Sequence, residues 1–176
     1  MVKKMLLGLL ALIAVVLIFA VTRPDTFRVE RSIAVKAEPA KVYALLNDFH
    51  QFPNWSPWQN LDPAMQTTHS GAPSGQGAVY AWTGNDAVGV GRMEILQTVP
   101  NTSVTVKLDF LKPFEAHNTT QYTLAPGTGG TTTVTWAMFG PSPYISKIMG
   151  VFVSMDKVIG KDFERGLATL KAIVEK

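Results

Sequence analysis

The sequence predicts an α+β domain: a curved antiparallel sheet of about seven strands around one long C-terminal helix, preceded by a transmembrane helix. Three observations carry this. Met5 to Val21 (MLLGLLALIAVVLIFAV) is an uncharged apolar run of 17 residues. Segments of period-two alternation recur from Phe27 to Gly140, divided by short turn-like breaks. From Ile145 to Val174 apolar residues return at spacings of three and four.

Composition supports one globular unit with an attachment. The chain has 176 residues, 10% aromatic and 16% charged, which suits a core-forming domain rather than a disordered one. It contains no cysteine, so disulfides, thiolate metal sites and cysteine nucleophiles are excluded. The net charge of +3 is uneven: Lys3, Lys4 and Arg23 against Asp25 place +2 in residues 1–26. Residues 27–176 then carry 13 basic and 12 acidic side chains, and no basic stripe exists for nucleic acid. The expected division is an anchor and linker over 1–26 and one domain over 27–176.

At about 1.5 Å per residue, Met5–Val21 reaches roughly 25 Å, the short end of a membrane span. Lys3 and Lys4 precede it and Thr22-Arg23-Pro24-Asp25 ends it. A cleaved signal is the competing reading, but no A-x-A-like site follows, and without cysteine there is no lipoprotein anchor. Arg23, Arg28, Arg31 and Lys36 after the span argue for a cytoplasmic domain by positive-charge counting. Long folded domains translocate largely regardless of charge, and the positive start is that of a signal anchor. The expected location is therefore the outer, periplasmic face of a cytoplasmic membrane, on a single pass.

Phe27, Val29, Ile33 and Val35 alternate with polar residues and predict a half-buried strand. Glu38-Pro39 opens a short helix bearing Val42, Leu45 and Leu46. Asp48 to Trp58 (DFHQFPNWSPW) is aromatic-rich and broken by proline, leaving room for one short helix and a turn. Strands are expected over 65–69, 76–83, 88–99, 102–110, 115–125 and 130–140, and their short connections imply antiparallel neighbours. Ser142-Pro143 provides an N-cap and first position for a helix of about 30 residues. Gly150, Gly160 and Gly166 fall within it and allow a kink or a start nearer Lys147.

Four segments in this order carry a family resemblance: RSIAVKAEPAKVYALLNDFHQFPNWSPW, YAWTGNDAVGVGRMEI, TTTVTWAMFG and MDKVIGKDFERGLATLK. The chain from about Phe27 to Lys176 resembles the SRPBCC or START-like superfamily, in particular its polyketide cyclase/dehydrase and lipid-transport branch. The resemblance implies a helix-grip fold and a cavity for hydrophobic molecules between sheet and long helix. Only some members of that family are enzymes.

No catalytic set stands out from the residues. The three histidines, His50, His69 and His117, form no HExxH and no i, i+4 pair, and no zinc ligand cluster or phosphate loop is present. Gly89-Val90-Gly91 lies inside a strand pattern and suits a bulge or bend better than a dinucleotide turn. Neither a cofactor nor a metal is expected.

Apolar binding residues are better marked. Trp55 and Trp58 follow prolines in a loop; Tyr80 with Trp82, Phe110 with Leu108, and Trp136 with Met138 share strand faces. Met93 and Met155 are flexible apolar fillers, and Phe152 stands on the long helix beside Met155. The candidate ligand-binding set is Trp55, Trp58, Tyr80, Trp82, Met93, Phe110, Trp136, Phe152 and Met155, although such residues also fill solid cores. Arg92, Asn85 and Tyr80 are polar candidates for a head group, with an outer-face salt bridge the competing role for Arg92.

The expected function is a membrane-tethered binding module for a hydrophobic or lipid-like small molecule. Its partners are that molecule and, through residues 5–21, the membrane. The alternatives are a cyclase- or dehydrase-like enzyme using the same cavity, or an interaction domain whose cavity is vestigial.

Overall fold

The computed structural model describes residues 2–176. Its elements are α1 (Val2–Val21), β1 (Thr26–Val35), α2 (Pro39–Leu46), a 3-10 turn (Phe52–Asn54), β2 (Gln66–Gly71) and β3 (Ala78–Thr83). These are followed by β4 (Val90–Val99), β5 (Ser103–Lys112), β6 (Ala116–Pro126), β7 (Thr132–Pro141), α3 (Tyr144–Phe152) and α4 (Met155–Val174). One seven-stranded sheet runs in the order β1-β7-β6-β5-β4-β3-β2, antiparallel throughout. The strand boundaries fall within two residues of those the alternation predicts.

The register gives the sheet two distinct ends. Thr26 pairs with Pro141, Phe110 with Ala116, Val90 with Lys112 and Gln66 with Thr83, so these residues share one end. The same end receives the chain from α1 and releases it into α3, where the Ser142 amide donates to the Asp25 carbonyl at 2.7 Å. At the opposite end, Val35 meets Thr132, Pro126 meets Thr132 and Ala78 meets Gly71. There Val42, Leu46, Ile95, Val104, Leu124, Val134, Leu170 and Val174 form a solid core between sheet, α2 and α4. The Thr132 hydroxyl donates to the Ala37 carbonyl at 2.6 Å and ties α2 to that end.

The long helix lies along β1. Phe163, Leu167, Leu170 and Val174 are its buried face, as the ladder of spacings predicts. Arg31 of β1 holds its N-terminal half, bonding Asp156 at 2.9 Å and Glu164 at 2.7 Å. Gly160 is buried beneath this guanidinium, with no space for a Cβ. Near its C-terminus the Lys171 ammonium donates to the Ala34 carbonyl at 2.8 Å, and Glu175 accepts the Lys36 amide at 2.7 Å.

The single helix of about 30 residues expected from Ser142 is corrected to two. Val153 is extended (φ −127°, ψ 122°), which ends α3, and Ser154 caps α4 by accepting the Lys157 amide. Asp156 in the first turn complements the helix dipole there. At the other end of α3 the N-cap is Pro143, not Ser142, because Pro143 is still extended (φ −62°, ψ 159°) and the helix begins at Tyr144.

Candidate ligand cavity

A cavity of about 190 Å³ lies between the concave face of the sheet and the N-terminal half of α4. Side-chain alternation builds its wall: Tyr80 and Trp82 from β3, Met93 from β4, Leu108 and Phe110 from β5, Thr120 and Tyr122 from β6, Trp136 and Met138 from β7. Ile159, Asp162 and Phe163 of α4 cover it, with Phe52 and Trp58 from the connection between α2 and β2. The wall runs from the middle of the sheet, at Tyr80, Tyr122 and Trp136, to the end near α1, at Trp82, Phe110 and Met138. The volume exceeds six waters, taking about 30 Å³ for each.

Exposure distinguishes floor from mouth. Tyr80, Met93, Tyr122, Trp136 and Phe163 are buried, whereas Trp58, Met65, Trp82, Val88, Phe110, Ile159 and Asp162 are partly open and Ala87 is exposed. Two hydrogen bonds fix the mouth: the Trp82 indole donates to the Val88 carbonyl at 3.0 Å, and the Trp58 indole donates to the Asp162 carboxylate at 3.2 Å. The β3–β4 turn is drawn tightly to β5. Gly89 has φ +66°, and a Cβ there would meet the Lys112 carbonyl oxygen. At Gly91 a Cβ would strike the Trp82 ring and the Asp109 carbonyl oxygen at 2.5 Å, so Trp82 lies flat over a bare backbone.

The wall is apolar and aromatic with a few neutral donors. Trp136 stacks on Phe163 at 4.0 Å, Trp58 meets Trp136 edge-on at 5.8 Å, and Trp82 meets Phe110 at 6.0 Å. Burial pushes the Tyr80 and Tyr122 phenols above their ordinary titration range, so both stay protonated at neutral pH. The buried Trp136 indole N–H has no hydrogen-bond partner within the described residues. Among the described residues Asp162 is the single carboxylate on the wall, and its other oxygen bonds Arg165 at 2.5 Å.

Of the expected ligand-binding residues, Trp58, Tyr80, Trp82, Met93, Phe110 and Trp136 stand on this wall. Trp55, Phe152 and Met155 do not. Trp55 packs edge-on against Phe52, Tyr122 and Trp136 behind the wall, so it backs the cavity rather than lining it. Phe152 and Met155 flank the break between α3 and α4 and are exposed. Among the head-group candidates, Arg92 points away from the cavity and pairs with Glu94 at 3.0 Å. Asn85 braces the β3–β4 turn, its amide donating to Asp62 at 2.7 Å. Thr120, Tyr122 and Asp162 were not anticipated. The first two share a face at i and i+2 on one strand, a signal the sequence contained, and Asp162 follows Ile159 by three on the helix.

The histidines lie elsewhere. His50 bonds Asp48 at 2.8 Å, in a turn that the Asp48 side chain closes, and stacks on His69 at 4.3 Å. His117 sits on the convex face of the sheet, bonded to Asp109 at 2.7 Å and Glu115 at 3.2 Å. Among the described residues no group of three or more His, Asp or Glu side chains is placed to hold a metal ion.

A curved antiparallel sheet wrapped on a long helix, with an apolar cavity between them, defines a helix-grip ligand-binding fold. The model of the family described as polyketide cyclase / dehydrase and lipid transport matches residues 26–175, and the chain belongs to that family. Solved structures agree on the fold. A Thermobifida fusca protein has 23% identity and a TM-score of 0.60, with 82% of this chain and 90% of that one covered. A Chromobacterium violaceum protein has 18% identity and a TM-score of 0.59, covering 88% and 99%. The Aha1 dimer from Colwellia psychrerythraea has 18% identity and a TM-score of 0.57, covering 85% and 96%. No curated protein matches the sequence.

Proposed function

We propose that the protein is a membrane-tethered binding module for an uncharged hydrophobic small molecule. The tether is α1, a 20-residue helix holding an 18-residue window of mean hydropathy 2.8 that the domain leaves almost wholly uncovered. The proposed location is the outer face of a cytoplasmic membrane.

The composition of the cavity wall is the observation that carries this reading. An apolar cavity with a few polar groups is how small-molecule sites are usually built. Among the described residues no lysine, arginine or histidine stands on the wall, and the one carboxylate there is at the mouth. An anionic head group inside the cavity would be desolvated with no cation on the wall, since Arg165 at the mouth is already paired with Asp162. A neutral hydroxyl or carbonyl instead finds donors in the Tyr80 and Tyr122 phenols. Each buried methylene contributes about 0.8 kcal/mol, so an apolar tip of about six carbons supplies roughly 5 kcal/mol before association costs.

Two measurements on the purified full-length protein test this. Mass spectrometry of co-purifying small molecules should find a neutral lipid-like species. Tryptophan fluorescence should shift on titration with farnesol and respond less to palmitate. Absence of a bound molecule together with no response to either probe would overturn the binding reading.

A further inference from the structure

We propose that α3, with the exposed apolar residues beside the cavity mouth, is a second membrane element that seats the mouth on the lipid surface. The cavity then takes one end of a molecule whose remainder stays in the bilayer. This rests on the membrane-tethered reading above and deepens it.

Placement comes first. The cavity extends from the middle of the sheet toward the end where α1 delivers the chain, and α3 leaves from that same end. The two helices are joined: the Tyr144 hydroxyl donates to the Leu17 carbonyl at 2.9 Å, and the nearly buried Lys147 ammonium pairs with Asp25 at 2.5 Å. A domain held so closely to its anchor cannot present its opposite end to the bilayer.

Surface chemistry is the second ground. Ile145, Met149 and Phe152 recur on one face of α3 at spacings of four and three, and Phe152 is 73% exposed. Ile148 and Val151, on the flank next to that face, are more covered, and α3 packs on α1. α3 thus carries one broad apolar stripe whose covered flank and bare flank adjoin, and α1, on which it packs, is itself bare and apolar. Met155 and Val158 extend it into α4, one turn from Ile159 at the mouth. Beyond the mouth the end of β5 adds Leu111 and the β5–β6 turn adds Phe114, the latter 74% exposed. Apolar surface of this extent marks an interaction site, and its continuity with α1 assigns the lipid surface as the occupant.

Cavity size is the third. Sites that enclose a drug-sized ligand usually measure about 300–1,000 Å³. At about 190 Å³ this one holds an end of a lipid-like molecule and leaves the rest to emerge at the mouth.

The chain lacks cysteine, so single cysteines can be labelled in the full-length protein. Leu10→Cys, Phe114→Cys, Phe152→Cys and, as a control at the far end of α4, Ala172→Cys would carry an environment-sensitive fluorophore. Reconstitution would use phosphatidylcholine vesicles with acyl chains brominated near the head group, to report burial of about 5–10 Å. The labels at 10, 114 and 152 should lose fluorescence, and that at 172 should not. Quenching at 10 with none at 114 or 152 beyond the control overturns the seating alone. Quenching at 152 but not at 114 also overturns it, because the mouth then faces water. No quenching at 10 overturns the tether reading along with this one. Protection of 152 from both bromolipid and aqueous iodide, with cross-links between chains, means that a second copy covers α3 and overturns it as well.

Discussion

Trp82 is held at both ends of its ring system: its indole N–H reaches the Val88 carbonyl, and the ring lies over Gly91. Trp82→Ala should weaken farnesol binding about tenfold, or roughly 1.4 kcal/mol, measured by titration, while the thermal midpoint moves little because the ring is partly exposed. Asp162→Asn keeps an acceptor for Trp58 and removes the charge facing the cavity, so the preference for farnesol over palmitate should narrow. His117 supplies a pH marker on the convex face. Its hydrogen bond to Asp109 raises its pKa above 6.5, with Glu115 adding to the effect. Burial pushes Asp109 up, but bonds from His117 and Lys107 outweigh it and leave it below 3.8. The His117 contribution to stability is thus complete below the ordinary imidazole range and lost as pH rises through the raised value. The Asp109 contribution is present above the ordinary carboxylate range and lost as pH falls through the lowered one. An NMR titration should find the His117 ring above 6.5, and Asp109→Asn should return it toward 6.5; an unchanged midpoint would refute the coupling.

Among the elements, the seven strands were legible because each buries one face, and burial of one face writes itself as alternation. Long pairing of β1 with β7 was not legible, since register between the first and last strands leaves no local mark. The break at Val153–Ser154 was hidden by the apolar ladder, whose spacings run through it from Phe152 to Met155. Local chemistry did signal it: Ser154 with Asp156 two residues on is a helix start. The same ladder misplaced Phe152 and Met155 in the cavity, because it reads two helices with different partners as one face. Trp55 and Trp58 illustrate the opposite limit, for a proline-broken loop has no period from which to tell wall from backing. Ser154→Ala should cost about 1 kcal/mol in denaturant unfolding without altering the sheet. Phe163→Asp or Leu167→Asp places an unpaired charge at the helix–sheet contact and should unfold the domain, as read by circular dichroism. Wild-type stability in either variant would mean that another face of α4 is buried.

For the whole molecule, α1 should keep the full-length chain in the membrane fraction through an alkaline wash. A mature N-terminus near Val21 to Asp25 would instead identify a cleaved signal. The domain below it is mechanically unequal from end to end. Packed aliphatic side chains with α2 fill the end far from α1, while toward the near end the sheet surrounds the ligand cavity and its partly open aromatics. Cooperative opening of the far end requires losing most of that packing at once, whereas the near half has fewer neighbours to lose. Backbone amides of Val104, Leu124 and Val134 should therefore exchange with deuterium only through global unfolding. Those of the β3–β4 and β5–β6 turns should exchange through small local excursions, which slow when the cavity is occupied. Such a gradient lets guests come and go at one end on a clock that the other end never feels.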